Sequence, residues 1–533
     1  MAALKHSGAL FYGAENTRNT TNSLASIARM DVQGTSTMAS QQRSRPSLLS
    51  IDTPRAGWSF ETDDEPLSPT ARMFQDLHIL MVLGLAAPVD ICELRVGLEA
   101  TLVQHPRFNS IRVLEPDPRW VRTVVNLDNH IIVPDLDPTA ASVNSDKLVE
   151  DYLASLSTLP MDDSRPLWEV HVLNFPTSEA AASLVFRIHH AIGDGMSLIS
   201  LLVACDQKPK ILPSPAPAPR KRPICAVPPR EATSAGALAF IAWVLSYALL
   251  AWHSLVDLAR LLAMPLLPGD PRTVFTGVKG VEFRRKRFVS HSLSLDDVKH
   301  VKNALNCTIN DVLLGVLSAA LTRYYFRKQG DHFAKKSCLR LRLIVPVDMR
   351  PTPGIQKLEN LMDPHTNNDA RWGNRVGYMI LPFYITSHED PLEYVRQAKK
   401  SADRKKYSLE TIFTKTISEM VTIFLGLRYV YPVHFSPSSS PQIAGPLIRR
   451  IVSRTTAASS NMTGPIEQLE LFGNKVLYIA PTVYGPPSAL TVHWQSYMDT
   501  IRVILAVDDR EFSDCHQLLD DFAEALKIMR DSS

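Results

Sequence analysis

The sequence predicts a mixed α/β fold, and three observations carry that prediction. Ala182 to Ser197 reads as strand, tight turn and helix in direct succession. Short apolar runs of strand length alternate with helically spaced runs on both sides of it, from Leu77 to Met529. A proline-rich stretch followed by a charge-free one then divides the chain in its middle.

Composition bounds the function classes. The 533 residues are 45% hydrophobic and 21% charged, values of a globular protein, with a formal net charge of only +3. Nucleic acid is therefore not expected as a partner. Cys92, Cys205, Cys225, Cys307, Cys338 and Cys515 are scattered without a C-x-x-C pair, which argues against a disulfide framework or a zinc site.

Taken in order, residues 1–62 are rich in Ser, Thr, Asn, Ala and Arg without sustained apolar periodicity, and are expected to be a disordered extension. Leu77–Leu85 is a buried strand. Asp90 caps a helix to Gln104, stopped by His105-Pro106, with Leu94, Leu98 and Leu102 inward. Trp120–Val125, Ile131–Val133 and the segment after Arg165-Pro166-Leu167-Trp168 are strands, and Trp168 is expected in the core. Residues 208–230 hold eight prolines and the basic cluster Arg220-Lys221-Arg222, which makes 206–231 a linker.

Residues 232–256 carry no formally charged side chain, and the apolar run Ala237 to Trp252 within them approaches the roughly 20 residues of a membrane span. Three readings compete for 232–265: a crossing helix, a monotopic or re-entrant anchor, and a buried core helix. Further on, Ser294 caps one helix and Thr308-Ile309-Asn310-Asp311 opens another as a variant capping box. Leu341–Val347, Leu490–Trp494 and Ile501–Val507 are strands, and Leu518–Met529 is a closing helix.

The chemistry concentrates at His189-His190-Ala191-Ile192-Gly193-Asp194-Gly195. Strand alternation sets Leu184, Phe186, Ile188 and His190 on one face and Val185, Arg187 and His189 on the other. His190 therefore stands at a strand end before a glycine turn, where its near-neutral pKa suits it to general-base work. Asp194 either acts through His190 or braces the turn by pairing with an arginine. The competing readings are a core histidine pair and a metal site. Adjacent strand residues point to opposite faces and cannot easily share one ion. Gly193-Asp194-Gly195 is a turn signal, with glycines free to take positive φ.

His189-His190-x-x-x-Asp194-Gly195 matches H-H-x-x-x-D-G, the signature of coenzyme-A-dependent acyltransferases and peptide-synthetase condensation domains. Pro66-Leu67-Ser68-Pro69, His105-Pro106-Arg107-Phe108, Pro166-Leu167-Trp168-Glu169, Asn310-Asp311, Asn374 to Tyr378 and Ser460-Asn461-Met462-Thr463-Gly464-Pro465 all resemble segments of the plant wax ester synthase/diacylglycerol acyltransferase family. The resemblance runs from Pro66 to near the C-terminus. Family members begin close to Pro66, so residues 1–62 depart from the pattern.

The resemblance implies two chloramphenicol-acetyltransferase-like lobes, at 63–205 and 274–530, with an active-site tunnel between them. It implies acyl transfer from acyl-coenzyme A, as co-substrate and without a cofactor or metal, to a fatty alcohol or diacylglycerol. His190 is then the general base, His189 shapes the site and Asp194 with Gly195 forms the turn. Arg350, at a strand end, becomes the partner of Asp194. Ser460 and Asn461 either aim donors at the developing oxyanion or belong only to a Gly-Pro turn. Both halves must build one site, so 232–256 is expected to anchor the chain to the cytosolic face of the endoplasmic reticulum membrane, with the plasma membrane as the alternative. Two other functions fit parts of the sequence: an acyltransferase for a soluble alcohol, and a non-catalytic membrane-associated lipid-binding protein.

Overall fold

Among the described residues, two six-stranded sheets and a small three-stranded one organise the fold. The computed structural model describes residues 64–74, 77–114, 117–206, 236–329, 338–352, 354–362, 371–425 and 450–533. The expected N-terminal extension, most of the expected linker and residues 232–235 lie outside these. All described residues belong to one unit, Leu49–Ser533; the other, Met1–Leu48, lies outside them.

In the first half, β1 (Asp64–Pro66) is followed by α1 (Pro69–Met73), β2 (His78–Leu85), α2 (Ile91–Ala100), β3 (Ser110–Val113), β4 (Arg119–Arg122), β5 (Ile131–Ile132) and α3 (Pro138–Leu156). β6 (Trp168–Leu173), β7 (Ala182–His189), α4 (Gly195–Ala204) and α5 (Gly236–Ala263) complete it. Asp90 caps α2 through its side chain, as its position before an apolar period predicts. α3 and its break at Asn144 were not expected from the sequence, because its apolar positions are few.

In the second half come β8 (Lys286–Ser294), α6 (Leu295–Ala304), α7 (Ile309–Gln329), β9 (Leu339–Asp348), α8 (Leu358–Met362), β10 (Val376–Ile385), α9 (Glu393–Lys406) and α10 (Glu410–Leu425). β11 (Ala457–Met462), β12 (Glu470–Leu471), β13 (Asn474–Tyr484), β14 (Leu490–Tyr497), β15 (Thr500–Asp508) and α11 (Cys515–Asp531) close the chain. The capping box opens α7 in full: Thr308 N–H donates to Asp311 Oδ2 at 2.9 Å, and Asp311 N–H donates to Thr308 Oγ1 at 3.2 Å. Asp311 thus has a local reason to be polar.

The first large sheet runs β12-β13-β2-β7-β6-β5, the second β10-β9-β11-β14-β15-β8. Period-two apolarity gives β7 two buried faces. Leu184, Phe186 and Ile188 pack with Leu94 and Leu98 of α2, whereas Val185 packs with Val149 and Leu153 of α3 and with Phe288 and Ile504 of the second half. Behind the second sheet, α7 and α11 supply a separate core that includes Val316, Leu317, Leu518 and Phe522.

A division by chain order alone does not describe this fold. β13, from the second half, pairs antiparallel with β2 from Tyr484↔His78 to Val476↔Leu85, with an irregularity near Val476. The expected second lobe at 274–530 therefore contributes two strands to the first sheet. Ile479 joins the core of the first half while Ala480 joins the layer between the halves, the alternation of a strand buried on both faces.

α5 presents Phe240, Trp243, Leu245, Tyr247, Trp252 and Leu255 as exposed apolar side chains. Its later turns are held to the second half. Ser254 Oγ accepts from Leu409 N–H at 3.0 Å, and buried Asp257 meets Arg404 at 2.8 Å and Lys405 at 3.2 Å. Lys405 reaches Glu410 at 2.6 Å, so the charges form one compensated cluster. Removing one member of such a buried pair costs about 3–5 kcal/mol, because the remaining charge is left desolvated and unpaired.

Candidate active site

β7 delivers His190 to the rim of a cavity of about 480 Å³, lined mainly by apolar side chains from both halves. The lining draws on β2, α4, β10, α10, β11, β13 and β14, and on Leu261 and Leu262 of α5. That volume falls within the range of about 300–1,000 Å³ usual for small-molecule sites.

His190 is held at both ends of its own residue by Asn374. Its Nδ1 lies 3.0 Å from Asn374 Oδ1, and Asn374 Nδ2 donates to the His190 carbonyl at 2.9 Å. The second bond fixes which end of the amide is nitrogen, so Oδ1 must accept and Nδ1 must carry hydrogen. Nε2 then holds the lone pair, the arrangement a general base requires. Phe74 packs on the ring at 4.6 Å between centroids. Burial pulls the His190 pKa below its ordinary value, against the opposing pull of the Asp194 charge and the Asn374 bond.

Asp194 is the N-cap of α4, its Oδ1 accepting from Ser197 N–H at 2.9 Å. Arg350 grips the same carboxylate with two nitrogens, at 2.8 and 3.1 Å. Arg375 N–H donates to Asp194 Oδ2 at 2.9 Å. Arg350 also donates to Ser197 Oγ at 2.8 Å, to the Gly373 carbonyl at 2.9 Å and to Asp348 at 3.1 Å. Asp194 thereby braces the turn, and no direct bond joins it to the His190 ring among the described residues. Trp372 Nε1 donates to the Ile192 carbonyl at 2.8 Å, so 372–375 clamps the turn from the second half.

The turn glycines serve close approach rather than backbone handedness. Neither Gly193 nor Gly195 uses the freedom to take positive φ. A Cβ on Gly195 would lie 2.3 Å from Met462 Sδ, and one on Gly193 would lie 3.3 Å from Trp372 and Ser197. A side chain at Gly195 would require Met462 to move, and one at Gly193 would be tight against its neighbours.

His189 stands apart from the cavity lining, and the structure gives it no place beside the reacting groups. It is buried on the other face of β7, with Nε2 2.9 Å from Arg112 Nη1, and Arg112 reaches Asp163 at 2.8 Å. The alternation that carries His190 to the cavity carries its neighbour away. His105 is likewise structural, its ring tilted against Trp372 with centroids 4.1 Å apart and its pKa lowered to about 3 by burial and by Arg107. Trp168 is fully buried, its Nε1 donating to the Phe108 carbonyl at 2.8 Å.

Ser460 and Asn461 both line the cavity but differ in their side-chain partners. Ser460 lines the cavity with Oγ 2.7 Å from His493 Nδ1. The Asn461 amide nitrogen is spent on Asn310 Oδ1 at 2.6 Å, at the start of α7. His493 and Asn374 carry no motif signal strong enough to be singled out from the sequence. Asn374 lies in a segment quoted only for its resemblance, and His493 lies within an otherwise ordinary strand. Register exposes His493, which is opposite Ser460 in parallel strands β11 and β14, and the hydrogen bonds to His190 expose Asn374.

Comparison with known proteins places the chain in a family. The family model described as wax ester synthase/diacylglycerol acyltransferase catalytic domain matches residues 79–313, and the WS/DGAT C-terminal domain matches 372–530. Wax ester synthase/diacylglycerol acyltransferase 11 of Arabidopsis thaliana is 39% identical, over 88% of this chain and 95% of its own length. Number 5 of the same plant is 37% identical, over 88% and 94%. Among solved structures, the wax ester synthase/diacylglycerol acyltransferase from Marinobacter aquaeolei VT8 superposes with a TM-score of 0.52 at 16% identity, covering 87% of this chain and 98% of that one. The first condensation domain of the calcium-dependent antibiotic synthetase gives 0.50 at 13%, covering 87% and 95%. These structural likenesses extend the shared fold well beyond recognisable sequence identity. With family matches in both halves and relatives above 30% identity over nearly their whole length, the chain belongs to the wax ester synthase/diacylglycerol acyltransferase family.

Proposed function

We propose that this protein transfers a fatty acyl group from acyl-coenzyme A to the hydroxyl of a long-chain alcohol or a diacylglycerol, with His190 as general base. The observation that carries the reading is the His190–Asn374 pair at the wall of a largely apolar cavity. Nε2 takes the acceptor's hydroxyl proton as its oxygen attacks the thioester carbonyl. The tetrahedral oxyanion then collapses, the carbon–sulfur bond breaks, and the proton on Nε2 passes to the departing thiolate. Low basicity in the resting state favours the neutral imidazole, and Asn374 stabilises the imidazolium formed in transit. Ser460 is the side-chain hydroxyl in the lining that we assign to the oxyanion.

The apolar lining supports a lipid acceptor over a soluble one. Leu262 is 61% exposed and also lines the cavity, so the apolar lining extends to an exposed side chain of α5. α5 is read as a monotopic anchor. Ser254 and Asp257 tie its later turns to α9, α10 and the loop between them, which supports a helix lying along the bilayer surface rather than crossing it. We place the enzyme on the cytosolic face of the endoplasmic reticulum membrane, where dissolved acceptors and cytosolic acyl-coenzyme A both have access. The lipid-binding alternative without catalysis is disfavoured by a base already in the required tautomer.

The direct test supplies purified protein with labelled palmitoyl-coenzyme A and, separately, hexadecanol, diacylglycerol and a short soluble alcohol. Labelled wax ester or triacylglycerol is the expected product. Exclusive labelling of the soluble alcohol would overturn the lipid reading, and absence of any ester would overturn the enzymatic one.

A further inference from the structure

The proposed reaction leaves His493, a titratable group in the cavity wall, without a role. His493 lines the cavity, is nearly buried, and hydrogen-bonds at both ring nitrogens. Val483 N–H donates to Nε2 at 3.3 Å, and a backbone N–H can only donate. Nε2 therefore holds the lone pair and Nδ1 the hydrogen. It follows that the 2.7 Å contact runs from Nδ1–H to Ser460 Oγ, with the serine accepting.

This direction decides what Ser460 can do. A histidine that already donates cannot take the serine proton, so the pair is not a nucleophile with its base. The serine oxygen is instead occupied as an acceptor, which turns its own O–H outward as a donor and polarises it. No acceptor for that proton is found among the described residues, and Ser460 is the partly accessible member of the pair. Strand register fixes the geometry, because Ser460 and His493 are direct partners in the ladder of β11 and β14. The ladder already joins these strands, so the side-chain bond is not needed for pairing.

We propose that His493 is a positioning residue for acyl transfer, orienting the Ser460 hydroxyl so that its proton meets the oxyanion formed at the thioester carbonyl. This rests on the acyl-transfer reading of the same cavity. No proton leaves Ser460: the hydrogen bond strengthens as negative charge builds on the carbonyl oxygen and relaxes as the thiolate departs. Burial, reinforced by the nearby His190 charge, lowers the His493 pKa to about 4, which keeps it neutral while His190 carries the proton in flight. A second cation there would oppose that step.

The test is a kinetic cycle on the full-length enzyme, with kcat and KM for acyl-coenzyme A measured separately and folding checked by thermal melting. Ser460→Ala should lower kcat by about 10²–10³-fold, the usual loss for one oxyanion donor, with KM nearly unchanged. His493→Leu should lower kcat in the native background but change it little once Ser460 is Ala, because both remove one function. His493→Asn keeps an N–H near the Nδ1 position and should recover most of the loss. Equal losses from His493→Leu in both backgrounds, or no recovery with Asn, would overturn the proposal. His190→Ala, run alongside, judges the base separately: an active His190→Ala enzyme with the Ser460–His493 coupling intact would refute the base and leave this pair standing.

Discussion

Asn374 and His190 exchange two hydrogen bonds across 184 residues of sequence, one to the ring and one to the backbone carbonyl. The pair joins the segment before β10 to the end of β7, so the tautomer of the base in one half is set by the other half.

That relationship gives a pH signature. Burial lowers the His190 pKa, and the base is competent only when unprotonated, so the acid limb of kcat/KM should fall at a pH below 6.5. The Asn374 bond opposes this lowering, since it favours the charged ring. Asn374→Leu should therefore move the acid limb to still lower pH while reducing kcat by about ten- to a hundredfold through loss of the ring's orientation. A pH–rate profile of the variant checks both signs, and an acid limb moved upward would contradict the assignment.

The Asp194–Arg350 pair should govern stability as much as rate. Both are almost fully buried, and their bidentate contact also holds Ser197 and Gly373 in place. Asp194→Asn and Arg350→Ala should each destabilise by about 3 kcal/mol, because each leaves its partner buried with less compensation. The double variant should be less than additive in denaturant unfolding. Full additivity would mean that the two act in separate networks.

Gly195 should tolerate a side chain only when Met462 yields. Gly195→Ala places a methyl 2.3 Å from the Met462 sulfur, so the thioether must move. Activity should fall by about tenfold with a cost of about 1–3 kcal/mol, and Met462→Ala in the same chain should restore much of both. Steady-state rates and melting of the single and double variants give the answer.

Much of the site was legible because it is local. The period-two apolar run of β7 sets His190 and His189 on opposite faces, and the caps at Asp90, Ser294 and Thr308 are read from side chains within three residues of the helix start. The pairing of Asp194 with Arg350 was reached through family resemblance, since nothing local connects positions 156 residues apart. The crossing of β13 into the first sheet was not legible. Asn474–Tyr484 has the composition of any buried strand, and its partner β2 is chosen by tertiary packing. His493 escaped for a similar reason, as its role depends on the register of β14 against β11.

The outer face of α5 should determine membrane attachment. Replacing exposed Phe240, Trp243 and Trp252 with polar residues should release the protein from membranes and depress activity on diacylglycerol more than on a short soluble alcohol. Protease protection on sealed microsomes, with tags at residue 60 and at the C-terminus, reports topology. Cleavage of both from outside agrees with the anchor; protection of one alone would mean a crossing and would break the shared site.

The most direct measurement of the central claim is single-turnover acyl transfer by His190→Ala, with acyl-coenzyme A binding measured on the same preparation. His190 lines the cavity, and its Nε2 is the lone-pair nitrogen proposed to take the acceptor's proton. The account predicts transfer slowed by about a hundredfold or more with binding and melting temperature nearly unchanged. Transfer at a near-native rate by the folded variant would contradict it.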